Sequence, residues 1–135
     1  TDIVAIAQAV EQGGADGIAL INTLLGMAIE AESARPILGN VTGGLSGPAV
    51  KPVALAMVWK VASAVRVPVV GMGGISNATD AIEFLIAGAS AIQVGTATFV
   101  DPTAAVHTVA GIADYCARKQ IPRVSDLTGS LKTAE

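Results

Sequence analysis

Two glycine-containing pairs, Gly73-Gly74 and Gly95-Thr96, each follow a short apolar run and precede a segment of helical character. Glycine at such a place lets a ligand phosphate approach the backbone, and the amides that open the next helix supply donors and a positive dipole. The same glycines could instead serve only to make tight turns. Because they occupy matching places after two successive apolar runs, we predict a phosphate-binding site there.

A polar pair, Asn22 and Thr23, follows a third apolar run. An amide and a hydroxyl at this place can hydrogen-bond a planar ligand that carries several donors and acceptors. An ordinary turn at the end of a strand explains the pair equally well. The glycine-rich loop of residues 39–48 could close over the same end of the sheet, or it could be a mobile surface loop.

The remaining reactive side chains form no catalytic set that spacing alone can identify. His107 and Cys116 fall inside the last predicted helix, so we expect a surface or packing histidine and a small core cysteine. Asp80 and Glu83 are expected on the solvated start of a helix, and Trp59 is expected to fill a helix interface. With one Cys and one His, the chain can form neither an internal disulfide nor a Cys/His metal cluster.

Alternating segments of helical and strand-like character position these residues. Apolar residues spaced i, i+3, i+4 and i+7 predict an amphipathic first helix, whereas short continuous apolar runs are typical of parallel strands buried on both faces. The predicted order is helix 3–12, strand 17–21, loop 22–51, helix 52–62, strand 67–72, helix 78–87 ended by Gly88, strand 89–94 and a last helix from Asp101-Pro102, with a polar tail from about Gln120. One side of the last helix is apolar and carries Val106, Val109, Ala110 and Ala113. The loop of about thirty residues is too long for a simple connector, which favours a functional role.

Strict alternation of helices and strands predicts an α/β fold with parallel strands and right-handed crossovers. The pattern is similar to the last three strands of a TIM (β/α)8 barrel. A complete barrel takes about 250 residues, and this sequence has 135. We therefore expect the C-terminal portion of a barrel, in which the strand that precedes the first helix is missing.

Composition excludes several classes of protein. The chain is 52% hydrophobic and 14% charged, which is not the composition of a disordered segment. A net charge of −3 with eight scattered Lys and Arg argues against nucleic acid as a partner. No apolar run approaches the roughly 18 residues of a spanning helix, so we expect a cytoplasmic protein without a membrane association.

Three segments, at residues 14–26, 38–52 and 67–96, resemble the C-terminal half of the catalytic subunit of class 1B dihydroorotate dehydrogenase, the NAD-linked class. The specific part is Thr-Gly-Gly-Leu-Ser-Gly-Pro at 42–48, because Gly-Gly and Gly-Thr recur in many phosphate-binding barrels. The resemblance implies that residues 1–118 are the C-terminal part of an FMN-binding TIM barrel and that residues 119–135 are a tail of the same domain.

The resemblance also implies an activity: FMN-dependent oxidation of dihydroorotate to orotate in pyrimidine biosynthesis. Electrons would pass to NAD through a partner subunit that carries FAD and an iron-sulfur cluster, and the catalytic subunit would form a homodimer. By matched position, the residues that would contact FMN are Ile21, Gly47, Gly73, Gly74, Gly95 and Thr96, the last four around its phosphate. Asn22 and Thr23 would bind the orotate ring.

The sequence departs from the family at one point. The family's cysteine base and a flavin-contacting lysine would precede Thr1, and Cys116 does not match the position of that cysteine. We therefore expect part of an enzyme that is not competent alone, with strand edges and apolar helix flanks covered by the missing half or another subunit. The alternatives are another phosphate-binding barrel, such as a synthase or isomerase, and a non-catalytic half-barrel that binds a phosphorylated ligand.

Overall fold

The computed structural model describes residues 2–133, in which helices alternate with parallel strands as predicted. The elements in chain order are α1 (Ile3–Gln12), β1 (Ile18–Leu20), β2 (Leu24–Met27), β3 (Ile29–Glu30), β4 (Arg35–Pro36), β5 (Thr42–Leu45), a 3-10 turn (Pro48–Val50), α2 (Lys51–Ala62), β6 (Val69–Met72), α3 (Ala78–Ala87), β7 (Ala91–Gln93), α4 (Ala97–Val100), α5 (Ala104–Lys119) and a second 3-10 turn (Val124–Leu127). None of the helices within residues 2–133 is both long enough and apolar enough to cross a membrane.

The central sheet has the strand order β1-β6-β7, and all its strands are parallel. Within the described residues, β1 and β7 are therefore edge strands that each pair only with β6. Helices α2 and α3 cover the sheet with fully buried side chains, among them Val58, Val61 and Phe84. Gly71 of β6 makes this packing possible, because a Cβ there would lie 2.7 Å from the Phe84 ring.

Local signals begin and end helices α1 and α3 at the predicted places, whereas α5 begins at Ala104 and not at Asp101-Pro102. The Asp2 side chain accepts hydrogen bonds from the backbone N–H groups of Val4 and Ala5, which caps α1. Helix α3 begins at the cap residue Asn77 and ends at Gly88, whose φ of +122° favours glycine. The predicted bounds of α1 and α3 are confirmed.

The segment predicted as a loop, residues 22–51, is more ordered than expected. It contains two antiparallel strand pairs, β2 with β5 and β3 with β4. In the first pair Leu24 lies opposite Leu45, and Gly26 lies opposite Gly43. The interpretation of the whole segment as a loop was therefore wrong, because strand pairing between distant residues overrides the low strand propensity of glycine.

The last helix packs through a different side from the apolar one noted in the sequence. Val106 and Val109 are both 68% exposed, whereas Ala104 and Thr108 are buried. Helices α3 and α5 meet closely at Gly111, where a Cβ would overlap that of Ala78. An apolar side of α5 is thus left uncovered by the described residues.

The tail after Gln120, which was predicted to be a polar tail of the same domain, makes contacts that the sequence did not predict. Leu127 is buried, and the N–H of Gly129 donates to the carbonyl oxygen of Leu85 at 3.1 Å. The Thr128 hydroxyl donates to a carbonyl oxygen just beyond α3, at Ala89. These bonds satisfy backbone acceptors at the end of α3, so the tail is packed against that helix.

Candidate functional site

A cavity of about 420 Å³ lies beyond the carboxyl ends of β1, β6 and β7. This volume is within the usual range for small-molecule sites. All eight residues selected from the sequence line the cavity: Ile21, Asn22, Thr23, Gly47, Gly73, Gly74, Gly95 and Thr96. Parallel pairing thus brings the ends of three strands together at one place, where Gly47 joins them from the loop after β5.

The turn after β6 has no room for side chains. Gly73 and Gly74 have φ values of +126° and +76°, which favour glycine. A Cβ on Gly73 would lie 2.7 Å from that of Ala54, and a Cβ on Gly74 would lie 2.7 Å from the Gly47 carbonyl oxygen. Both glycines therefore serve close packing of this turn against the start of α2, which the sequence did not predict.

Gly95, by contrast, faces open space. No atom lies within 4 Å of the position that its Cβ would take. Within residues 2–133, no acceptor is found for the backbone N–H groups of Gly74, Ile75, Gly95 and Thr96. The cavity lining therefore combines room beside a glycine with backbone donors that a bound anion could use.

The glycine-rich loop closes over the same end of the sheet. The Thr96 hydroxyl donates to the Ser46 hydroxyl at 2.8 Å, which ties the loop to the residues after β7. On the other side, a Cβ on Gly44 would overlap the Thr23 side chain, so β5 passes directly against Thr23. Of the two interpretations of this loop, the structure supports closure over the cavity.

The side-chain orientation of Asn22 follows from its neighbour. Its Oδ1 accepts a hydrogen bond from the Thr23 N–H at 2.8 Å, and the Thr23 hydroxyl lies 3.4 Å away. With the oxygen engaged, the Nδ2 group is the part of the amide available to a ligand in the cavity. Asn22 thus offers a donor.

Three other side chains lie away from the cavity. His107 is exposed beside Asp101, as expected of a surface histidine. Cys116 is half-buried, so it is not the core residue that we predicted. Trp59 is 42% exposed, so the prediction that it fills a helix interface was wrong. The described residues contain no group of His, Cys, Asp and Glu that could hold a metal ion.

An ion cluster that the sequence did not reveal lies behind the turn after β6. The Lys51 ammonium donates to Asp80 Oδ1 at 2.6 Å and to Glu83 Oε2 at 2.8 Å. Asp80 is only 8% exposed, and its Oδ2 accepts the Ser76 N–H at 2.9 Å. The expectation of a solvated Asp80 was wrong, because a lysine 29 residues away in sequence compensates its burial.

Comparison with known proteins identifies the family. A family model described as dihydroorotate dehydrogenase matches residues 1–115. The chain belongs to the dihydroorotate dehydrogenase family. The predicted resemblance is therefore confirmed.

Curated relatives carry the name "Dihydroorotate dehydrogenase B (NAD(+)), catalytic subunit". The protein from Parabacteroides distasonis is 59% identical over 97% of this chain, and that from Porphyromonas gingivalis is 61% identical over 97%. In both cases the chain spans 43% of the relative's length. A crystal structure of a dihydroorotate dehydrogenase from Eimeria tenella, in complex with ferulenol, superposes with a TM-score of 0.78 at 28% identity, covering 95% of this chain and 34% of that one. The predicted α/β fold, part of a TIM barrel, is confirmed.

The ion cluster gives this chain a testable alkaline pH dependence of its stability. The hydrogen bonds that the Lys51 ammonium donates, first to Asp80 and then to Glu83, raise the pKa of Lys51 above its ordinary value of 10.5. Because folding favours the protonated amine, the resulting stabilisation is fully present below pH 10.5 and is lost as the pH rises through the folded-state pKa. We expect urea unfolding to give a higher free energy of unfolding for wild type than for Lys51→Met. This difference in free energy should be constant near neutral pH and become smaller above pH 10.5. A difference that stays constant through the alkaline range would contradict this assignment.

Proposed function

We propose that this chain forms the FMN- and dihydroorotate-binding part of an NAD-linked dihydroorotate dehydrogenase, which oxidises dihydroorotate to orotate in pyrimidine biosynthesis. One observation carries the proposal. The eight residues that the resemblance assigns to FMN and orotate come from four separate stretches of the chain, yet they line a single cavity. The names of the curated relatives support the reaction and its link to NAD.

The cavity suits a flavin phosphate held by the backbone. Its lining includes no Lys or Arg among the described residues, so a phosphate dianion would depend on N–H groups and hydroxyls. The open space beside Gly95 and the N–H groups of Gly74, Ile75 and Thr96 offer both room and donors. Backbone amides are well suited to this role because they carry fixed partial charges.

The other end of the lining suits a pyrimidine. The Asn22 amide donor and the Thr23 hydroxyl would orient a ring of imide and carbonyl groups. When bound, FMN would supply the acceptor for the hydride that dihydroorotate loses. In this chain, Asn22 and Thr23 would hold the substrate, and the loop tied by Ser46 and Thr96 would limit access of water.

The substrate must also lose a proton, and the cavity lining within residues 2–133 includes no carboxylate, imidazole or thiol. A general base must come within hydrogen-bond reach of the proton that it removes. We propose that the family's cysteine base comes from the part of the relatives that this chain does not span. The 135 residues by themselves are then expected to give no turnover.

The name "catalytic subunit", carried by the relatives, bears on partners. We propose an electron-transfer subunit with FAD and an iron-sulfur cluster, together with a homodimer of the catalytic subunit. The resemblance supports both partners. The described surface offers uncovered apolar side chains, among them Phe99 at 90% exposure.

The proposal is tested by Gly95→Ala, made in the complete protein that carries this chain. An added methyl meets no protein atom within 4 Å, so folding stability should be unchanged. If a phosphate occupies that space, the dissociation constant of FMN should rise about tenfold, equivalent to roughly 1.4 kcal/mol. Fluorescence titration of the apoprotein with FMN measures this change.

Gly39→Ala is the matched control. Gly39 also has no neighbour within 4 Å of its Cβ position, but it does not line the cavity, so FMN affinity should stay at the wild-type value. Wild-type protein should absorb at about 450 nm through its flavin. Colourless protein that FMN cannot reconstitute would instead favour another phosphate-binding barrel. Equal FMN affinity in Gly95→Ala and wild type would show that the phosphate does not bind beside Gly95.

A further inference from the structure

The buried carboxylate of Asp80 joins two elements that border the candidate phosphate site. It lies in the first turn of α3, where Oδ1 accepts from the Lys51 ammonium and Oδ2 accepts from the Ser76 N–H. Lys51 begins α2, directly after the 3-10 turn that follows Gly47, and Ser76 follows Gly73, Gly74 and Ile75. A single side chain thus connects the borders of two cavity-lining segments.

The two segments meet with no spare room. A Cβ on Gly74 would lie 2.7 Å from the Gly47 carbonyl oxygen and 2.8 Å from the Lys51 backbone nitrogen. A small separation of the segments would therefore move the N–H groups of Gly74 and Ile75 relative to the rest of the lining. The bonds of Asp80 to both segments resist such a separation.

Neither Asp80 nor Lys51 lines the cavity. The ammonium is shared between Asp80 and Glu83, both within 2.8 Å, so its charge is already compensated. A partly buried ion pair of this kind is weak evidence for stability, but it can specify one arrangement of the elements that it joins. The elements that this ion pair joins to the turn after β6 are the starts of α2 and α3, so the arrangement in question is the position of that turn against α2.

We propose that Asp80 is a positioning residue for the flavin phosphate, acting through Ser76 and Lys51 to hold the two segments at the spacing that the phosphate requires. This inference rests on the proposed function. The change in FMN affinity that it predicts on removal of Asp80 is opposite in sign to a simple electrostatic effect. Loss of a negative charge near a phosphate should strengthen binding, whereas loss of a positioning contact should weaken it.

The test compares FMN with riboflavin, which lacks the phosphate, in apoprotein prepared from the complete enzyme. Asp80→Ala leaves the Ser76 N–H without its acceptor. We expect the preference for FMN, which is the dissociation constant of riboflavin divided by that of FMN, to fall about tenfold. Asp80→Asn can still accept from Ser76 but cannot pair with the Lys51 ammonium, so its preference should fall about threefold, between wild type and Asp80→Ala. General damage to the fold would instead lower both affinities together and leave the ratio unchanged.

Glu83→Gln is the matched control, because Glu83 also binds Lys51 but makes no hydrogen bond to the turn after β6. Its FMN preference should equal that of wild type. If Asp80→Ala does not fold, Asp80→Asn decides alone. A variant that folds and keeps the wild-type ratio, or exceeds it, overturns the positioning role while the proposed function stands. Wild-type protein that shows no preference for FMN over riboflavin overturns both.

Discussion

Gly74→Val is expected to abolish flavin retention in the complete protein. The φ of +76° at this position is a genuine outlier for a β-branched residue, and the left-handed conformation costs about 1–2 kcal/mol. The new Cβ would also lie 2.7 Å from the Gly47 carbonyl oxygen and 2.8 Å from the Lys51 nitrogen, which adds about 1–3 kcal/mol of overpacking. Because both neighbours are backbone atoms, they can yield only if the two segments of the site move apart.

Flavin absorbance per protein and the urea midpoint of unfolding measure this outcome. The summed cost of about 2–5 kcal/mol predicts a loss of FMN affinity of about thirtyfold or more, together with a lower midpoint. Gly39→Val is the control, since the Cβ position there is open and the residue lies outside the cavity lining. Stoichiometric flavin in Gly74→Val would show that the described geometry of this turn is wrong.

Asn22→Ala is expected to reduce kcat/KM for dihydroorotate ten- to hundredfold while FMN content stays at the wild-type level. Removal of this donor leaves a buried polar group of the substrate without a partner, which costs about 1–3 kcal/mol, and each 1.4 kcal/mol is about tenfold in rate. The Asn22 oxygen is engaged by the Thr23 N–H, so the truncation removes a donor that already has a fixed direction.

Steady-state kinetics with saturating FMN measure the effect. Asn40→Ala provides a matched control, because Asn40 lies in the glycine-rich loop but does not line the cavity. Unchanged kcat/KM in Asn22→Ala would exclude it from substrate binding. Loss of flavin with intact kinetics after reconstitution would assign it to the cofactor instead.

The sheet and the position of the cavity could be predicted because their signals are local. The apolar runs at residues 17–21 and 67–72 contain β1 and β6, and the glycine at position 88 ends α3 as expected. Once the strands are known to be parallel, their carboxyl ends must lie at one edge, which groups Asn22, Gly73 and Gly95. The assignment of these residues to FMN and orotate remains a prediction.

Features that depend on distant partners could not be predicted from local patterns. Asp80 looks like an ordinary carboxylate at a helix start until Lys51 is placed beside it. Pairing of Gly43 and Gly44 with β2 contradicts the usual propensity of glycine. The apolar residues of α5 have the correct helical period, but Val106 is exposed, because a helical repeat does not say which neighbour the helix will contact.

The strand order β1-β6-β7 has a practical consequence. Each outer strand carries, on the side away from β6, a row of amide and carbonyl groups without a strand partner in the described part of the chain. The unpaired amide and carbonyl groups of one copy could form hydrogen bonds with those of a second copy. We therefore expect this stretch, when it is produced by itself, to associate through intermolecular strand addition at β1 and β7.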